Sequence, residues 1–239
     1  MVNLQQSPAA PLWRNFLNLE ASATEMAAAR RVVDFWRPEK AHAMAALLGR
    51  FPTWERHFLV RDEGERVRAV DSEEYSTVPV PRRFCQHDRA GHLQRHLGAD
   101  SLLSAEDRRI LRQFFAFCVL TPALALWVSE QLGVGPLQAT SVEVSRYGPR
   151  DFIVEHTDAV GPRIANLVTY FDPEYQPKEG GTLSIKDSEG NVVSFPPRFN
   201  SAVLLTLADR HAHWVEPWSS ARMGRLTMSI SFSPQTGVA

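Results

Sequence analysis

The residues that could do chemistry lie in the second half of the chain. Val154 to Arg163 reads VEHTDAVGPR, with His156 and Asp158 two apart, and HAHWVEPW follows later with His211 and His213, again two apart and closed by Pro217. On an extended segment, residues two apart project to the same face, so an imidazole and a carboxylate converge on one point and a later strand can bring a third ligand. Two imidazoles and one carboxylate make a facial triad that leaves coordination positions open, the arrangement associated with non-haem iron(II) oxygenases; zinc accepts the same ligands. With eight His and eleven Asp in 239 residues, a lone His-x-Asp pair is close to a chance occurrence. The residues around it must carry the assignment.

Downstream, RLTMSISF alternates polar and apolar, so Arg225, Thr227 and Ser229 share one face of a strand while Leu226, Met228 and Ile230 take the other. If the polar face is the inner one, a buried guanidinium there needs an anion. A fork of N–H donors with a hydroxyl two residues on suits a carboxylate, for which a hydrolytic zinc site has no use.

The elements that would position these groups follow from the punctuation of the chain. From Gln138 onward, short β-branched runs recur: TSVEVSRY, DFIVEHT, NLVTYF, GTLSIKD, NVVSF, SAVLLTL, HWVEP and RLTMSISF, separated by Gly- and Pro-rich breaks. Eight such strands predict an antiparallel jelly roll, a double-stranded β-helix, over 138–233. Residues 1–137 read as a mainly helical support region, giving an α+β fold with a mainly β core, helices on one outer face, and a single domain over 1–239. The expected helices are Ala21 to Trp36, a second one after Pro38 with Ala41, Met44, Leu47 and Leu48 at helical spacing, and Ser104 to Leu132, opened by a Ser104–Asp107 capping box and bent or broken before Pro122. Residues 61–96 are polar and read as a long loop, a candidate lid over the site.

Composition sets outer bounds. A net charge of −1 offers no field for nucleic acid or anionic lipid, and 44% apolar residues suit a globular core. Two isolated cysteines, Cys85 and Cys118, suggest buried thiols in a reducing compartment. The start, MVNLQQSPAAPLW, shows no secretory pattern, and the longest apolar run, Phe114 to Val128, is broken at Thr121-Pro122 and too short to span a bilayer. A cytoplasmic protein without membrane or nucleic-acid partners is expected; oligomeric state is not readable.

Taken in order, His156-x-Asp158, Gly180-Gly181-Thr-Leu, Pro197 before AVLLTL, His213-x-Val215-x-Pro217 and Arg225-x-Thr227 resemble the iron(II)/2-oxoglutarate-dependent dioxygenases of the prolyl 4-hydroxylase-like branch. The likeness covers about Thr140 to Phe232, with FPTW and TPALALWVSEQLG looser matches upstream. It implies that His156, Asp158 and His213 bind iron(II), which selects His213 over His211 and leaves His211 as a second-shell or surface residue. It also implies that Arg225, Thr227 and Tyr147 hold the far carboxylate of 2-oxoglutarate. The family's basic residue stands about ten positions after the second histidine, whereas Arg222 lies nine after and Arg225 twelve after; strand phase favours Arg225. Arg163 matches no known ligand and would only brace the site.

The resemblance further implies cofactors iron(II), 2-oxoglutarate and dioxygen, with ascorbate an optional reductant. Asp158 stands where halogenating relatives carry a small residue, so hydroxylation of an unactivated C–H bond is expected rather than chlorination. A free amino acid or small natural-product intermediate is the expected substrate, and a protein side chain such as prolyl the alternative. A non-catalytic jelly-roll binding module and a zinc hydrolase are the readings from other classes. Trp214 and Trp218 read as packing residues that could also shape a pocket. Arg82, Arg83 and His87, within 61–96, could meet an anionic or zwitterionic substrate, with a solvated loop as the plainer reading.

Overall fold

Antiparallel pairing runs through the whole molecule. The computed structural model describes residues 15–18, 23–26, 29–90, 93–98, 101–158, 161–187, 189–207 and 211–235; the opening residues read above for a secretory pattern lie outside these. The strands in chain order are β1 (Ala23–Met26), β2 (Ala29–Val32), β3 (Glu55–Arg61), β4 (Val67–Val70), β5 (Arg83–Arg89), β6 (Leu137–Tyr147), β7 (Phe152–His156), β8 (Ala165–Tyr170), β9 (Leu183–Lys186), β10 (Val192–Phe195), β11 (Ala202–Thr206), β12 (Ala212–Val215) and β13 (Gly224–Pro234). They hydrogen-bond in the order β1, β2, β11, β8, β13, β6, β5, β7, β12, β9, β10, with the β3–β4 hairpin added through β3 to β5. This path curls into a nearly closed jelly-roll barrel, and each of the eight strands expected from Gln138 onward is present.

Strand parity decides what each wall presents. Along β13, Met228, Ile230 and Phe232 join Leu167, Ala202 and Leu204 in a core shared with the helices, while Arg225, Thr227, Ser229 and Ser231 line the barrel interior. The opposite parity of β8 and β11 contributes Tyr170, Val203 and Leu205 to a second, smaller core inside the barrel with Ile185, Phe195 and Trp218. Strands β8 and β11 are thus apolar on both faces, which explains the near-continuous run AVLLT.

The helical layer covers the outer face. It comprises α1 (Pro38–Gly49), α3 (Ala105–Phe115) and α4 (Ala123–Leu132), with the short α2 (Ser72–Thr77) lying apart on β3. Helix α1 starts on Pro38 and buries Met44, Leu47 and Leu48. At the start of α3 the Ser104 hydroxyl accepts from the Asp107 amide at 3.1 Å, but the Asp107 carboxylate bonds the Ser104 hydroxyl and Arg50 instead of a free backbone amide. Between α3 and α4 a π turn at Ala116–Leu120 ends with the Thr121 amide bonded to the Ala116 carbonyl, and the axis bends by 49° at Thr121-Pro122. Among the described residues no single helix is long and apolar enough to cross a membrane.

Two expectations for the first half fail. In the segment read as a helix over Ala21 to Trp36, β1 and β2 are strands, and β2 pairs Ala29–Val32 against Ala202–Leu205 of β11. Its side chains follow period two: Ala29 sits in the inner core, and Val32 packs with the helices, so the open edge of β11 overrides the helix propensity of alanine. Residues 61–96 are not a long irregular loop. They contain β4, α2 and β5, and β5 hydrogen-bonds both β6 and β7 as part of the cavity wall. The neighbouring β3 is tied in by Arg56, which donates to the fully buried carboxylate of Asp151 at 2.6 Å.

The joint between strands and helices rests on Asn200, 4% exposed and with φ of 55°. Its side chain accepts from the Trp36 amide and donates to the Trp36 carbonyl, both at 2.9 Å, and Trp36 is fully buried against Phe114. Asn200→Ala leaves both backbone groups buried without partners and is expected to lower unfolding free energy by about 3 kcal/mol. Chemical denaturation checks this; a loss below about 1 kcal/mol would show that the joint does not depend on the side chain.

Candidate active site

Strand β7 ends on His156, which stands directly opposite His213 of β12 in the antiparallel register. The two rings come within 4.3 Å, centroid to centroid. Asp158, just beyond the strand end, brings its carboxylate oxygens to 3.6 Å from His156 Nε2 and 3.7 Å from His213 Nε2. One donor atom from each residue lies within 4.8 Å of the others, a spacing a single ion can bridge.

The chemistry of this donor set fits a divalent metal. His156 donates from Nδ1 to the Val154 carbonyl at 2.9 Å, and His213 does the same to the His211 carbonyl at 3.2 Å. A carbonyl can only accept, so each Nδ1 carries the proton and each Nε2 keeps its lone pair toward Asp158. Burial and the neighbouring His213 push His156 down, toward the neutral form. Burial opposes the charge on Asp158, yet His213, His156 and Arg163 together hold its carboxyl at about 2. Near neutral pH the set therefore offers a neutral imidazole and an ionised carboxylate, the states metal binding requires.

The cavity around this centre has a volume of about 290 Å³. At its inner end lies Arg225, 3% exposed, its guanidinium 4.5 Å from the Tyr147 ring and 5.5 Å from the Tyr170 ring. Thr227 and Tyr147 line the same end, and Thr227 Oγ1 shares a 2.7 Å hydrogen bond with Ser145. The backbone turns Arg225 inward: the β6–β13 register slips between Gly224 and Thr227, and Arg225 takes a left-handed φ of 45°. Such a conformation costs on the order of 1–3 kcal/mol and persists where surroundings hold it. Here the Asp172 carboxylate accepts from the Arg225 amide at 3.0 Å, and Nε of Arg225 donates to the Gly181 carbonyl at 2.7 Å. Gly181, with φ of 67°, lies so close that a Cβ would meet Trp218 at 2.8 Å and Arg225 Cδ at 2.9 Å.

Arg222 does a different job. It donates to Glu179 at 2.6 Å through both Nε and Nη2, and to Asp172 at 3.0 Å, outside the cavity lining. Two carboxylates thus neutralise Arg222. Among the described residues none forms a salt bridge with the guanidinium of Arg225, and a charge this deeply buried calls for an anionic ligand.

The structure thus gathers His156, Asp158, His213, Arg225, Thr227 and Tyr147 on one cavity, joined by Arg163 near Asp158. His211 supports His213 through its carbonyl. Trp214 faces away from the cavity and Trp218 packs in the inner core with its Nε1 donating to the Arg222 carbonyl at 2.8 Å, so neither lines the site. Arg82 and Arg83 bond backbone carbonyls of Arg61, Ser76 and Val78, whereas His87 does reach the cavity. Sequence reading missed Asp172, whose role depends on a bulge, and missed Glu143, although the alternation of TSVEVSRY puts it on the face of Tyr147.

Residues 142–232 match the model of the 2OG-Fe(II) oxygenase superfamily. No curated protein sequence matches significantly. Similar solved structures include a Pseudomonas putida prolyl-4-hydroxylase, 17% identical with a TM-score of 0.56, covering 88% of this chain and 94% of that one. A prolyl hydroxylase from Trichoplax adhaerens, solved with a hypoxia inducible factor peptide fragment, is 15% identical with a TM-score of 0.53, covering 87% and 83%. The epimerase SnoN, solved with Fe3+, alpha ketoglutarate and nogalamycin RO, is 14% identical with a TM-score of 0.55, covering 98% and 84%. These likenesses show the jelly-roll fold, and the matched span holds every member of the constellation built above. Residues 142–232 thus carry a 2OG-Fe(II) oxygenase domain, the mark of a dioxygenase that depends on iron(II), 2-oxoglutarate and dioxygen.

Proposed function

We propose that His156, Asp158 and His213 hold the iron, that Arg225, Thr227 and Tyr147 anchor the far carboxylate of 2-oxoglutarate, and that the enzyme hydroxylates an unactivated C–H bond of a free amino acid or small natural-product intermediate. The observation that carries the residue roles is the buried guanidinium of Arg225, unmatched by any carboxylate among the described residues and set on the same cavity as the facial triad. Bound there, iron(II) supplies the oxidising chemistry, in which dioxygen converts 2-oxoglutarate to succinate and carbon dioxide while the second oxygen atom enters the substrate as hydroxyl.

The side chains place and shield the reactants. The guanidinium and the Thr227 hydroxyl fix one end of the dicarboxylate, so that its other end lies toward the three ligands. Burial pushes the Tyr147 phenol far up, so it remains a donor at working pH. Cys85, also on the cavity wall, is pushed up to about 12 by burial and stays an unreactive thiol. A cavity of about 290 Å³ lies at the small end of ligand sites, which supports a small substrate beside the co-substrate. Resemblance to prolyl hydroxylases supports a protein side chain as the second reading.

Anaerobic addition of iron(II) and 2-oxoglutarate is expected to give a weak visible charge-transfer band, lost in His213→Ala and Asp158→Ala. Retention of zinc with no such band would favour a hydrolase instead. The clamp on Arg225 generates a second expectation. Asp172→Ala should raise KM for 2-oxoglutarate by about tenfold with kcat at saturation little changed, and Asp172→Asn, which keeps an acceptor for the Arg225 amide, should fall between it and wild type. Equal kcat and KM in all three proteins would detach Asp172 from co-substrate binding.

A further inference from the structure

Beyond the triad the cavity wall carries charge that the reading above does not use. Cys85, His87 and Arg89 of β5 face inward beside His57 and Leu59 of β3, in direct register as His57 with His87 and Leu59 with Cys85. Arg89 stands opposite Ser145 of β6 in register, and its side chain reaches Glu143, which lies four residues and so about 13 Å up the strand from Tyr147. A five-carbon dicarboxylate anchored on Arg225 occupies only the deeper part of that length.

Arg89 donates to Glu143 from Nη1 at 3.0 Å, and its side chain makes no other hydrogen bond among the described residues. The second oxygen of Glu143 stands 3.6 Å from His87 Nε2. Arg89 and Glu143 keep 34% and 44% of their side-chain surface accessible, so an incoming molecule can reach both. His87 is 4% exposed, stacks on Tyr147 at 5.3 Å with rings 6° from parallel, and has an Nδ1 without a hydrogen-bond partner. Burial above all, with Arg89 and His87 adding to it and Glu143 opposing, pushes the neighbouring His57 down to about 4.

We infer that Arg89 and Glu143 form the substrate clamp, and that the substrate is a small zwitterion of the α-amino-acid class, its carboxylate taken by Arg89 and its ammonium by Glu143. This deepens the function proposed above and rests on its assignment of the inner end to 2-oxoglutarate. The argument is one of charge balance. Arg89 and Glu143 neutralise each other, so a purely anionic ligand would draw Arg89 away and meet an unpaired carboxylate, and a purely cationic ligand would strand the guanidinium. A zwitterion exchanges both contacts at once and leaves no charge without a partner. A residue inside a peptide lacks both charges and could not make that exchange.

The test uses the iron-loaded full chain with 2-oxoglutarate, reading succinate release against free L-amino acids, their N-acetyl and carboxamide derivatives, and prolyl peptides. At least one free amino acid should stimulate release, with both capped forms and the peptides at background. Arg89→Met and Glu143→Gln should each raise KM for that amino acid by about tenfold or more, with the anaerobic 2-oxoglutarate band retained to show an intact, folded site. Capped forms or peptides that turn over as well as free amino acids would overturn the proposal. So would a panel in which no free amino acid stimulates although the band forms, or variants with unchanged KM. A wild-type chain without the band would overturn the co-substrate assignment as well, which separates the two failures.

Discussion

A guanidinium buried with no salt-bridge partner among the described residues is the constraint around which this molecule is arranged. Isolated charges in low dielectric are costly, and proteins keep them only where a ligand or a strong packing framework compensates. Arg225 is held in a left-handed conformation by its amide bond to Asp172. That arrangement could defeat itself, because a free carboxylate so near would compete with any ligand for the guanidinium. Arg222 prevents this by sharing Asp172 and Glu179 in a network of its own outside the cavity. The charge of Asp172 is spent on Arg222, its oxygen still orders the backbone, and Arg225 stays available.

Such an interior can exist because the stabilising surface lies elsewhere. The outward faces of β13, β8 and β11 bury Met228, Ile230, Phe232, Leu167 and Leu204 against α1, α3, α4 and Trp36. The inward face of β13 is therefore free to carry Arg225, Thr227, Ser229 and Ser231. Strand alternation makes the separation: one face of each strand supports the fold while the other holds polar groups that contribute to chemistry.

The same alternation explains what could be read from residues alone. All eight strands after Gln138 were legible, as was the inward set of β13 with Arg225 in it, since period two is a local property of the chain. The N-terminal strands were not, because β2 owes its conformation to the edge of β11, a partner some 170 residues distant by register of Val32 with Ala202. Residues 61–96 looked irregular for a similar reason: Arg83–Arg89, RFCQHDR, carries polar or charged residues on both parities and no apolar face, since its inner side lines a cavity and not a core. His87 was singled out as part of a loop and stands instead on a strand of the cavity wall. Arg89 and Glu143 went unnoticed, although each has the parity of a residue that was noticed, His87 and Tyr147.

The two ends of the cavity differ in charge balance, and that difference sorts carboxylate ligands without recognising their shapes. The inner end holds an unmatched cation, so it favours a group with net negative charge, and an ammonium carried there would find no anion. The outer end holds a matched pair, so a second carboxylate would face Glu143, which the His87 and Arg89 neighbours keep ionised, its carboxyl at about 2. On the assignments proposed above, a dicarboxylate is thus directed inward and a zwitterion outward. His156 at the end of β7, Asp158 just beyond it and His213 on β12 line the same cavity as both ends, so iron(II) held by them would supply its oxidising chemistry to a substrate in that cavity.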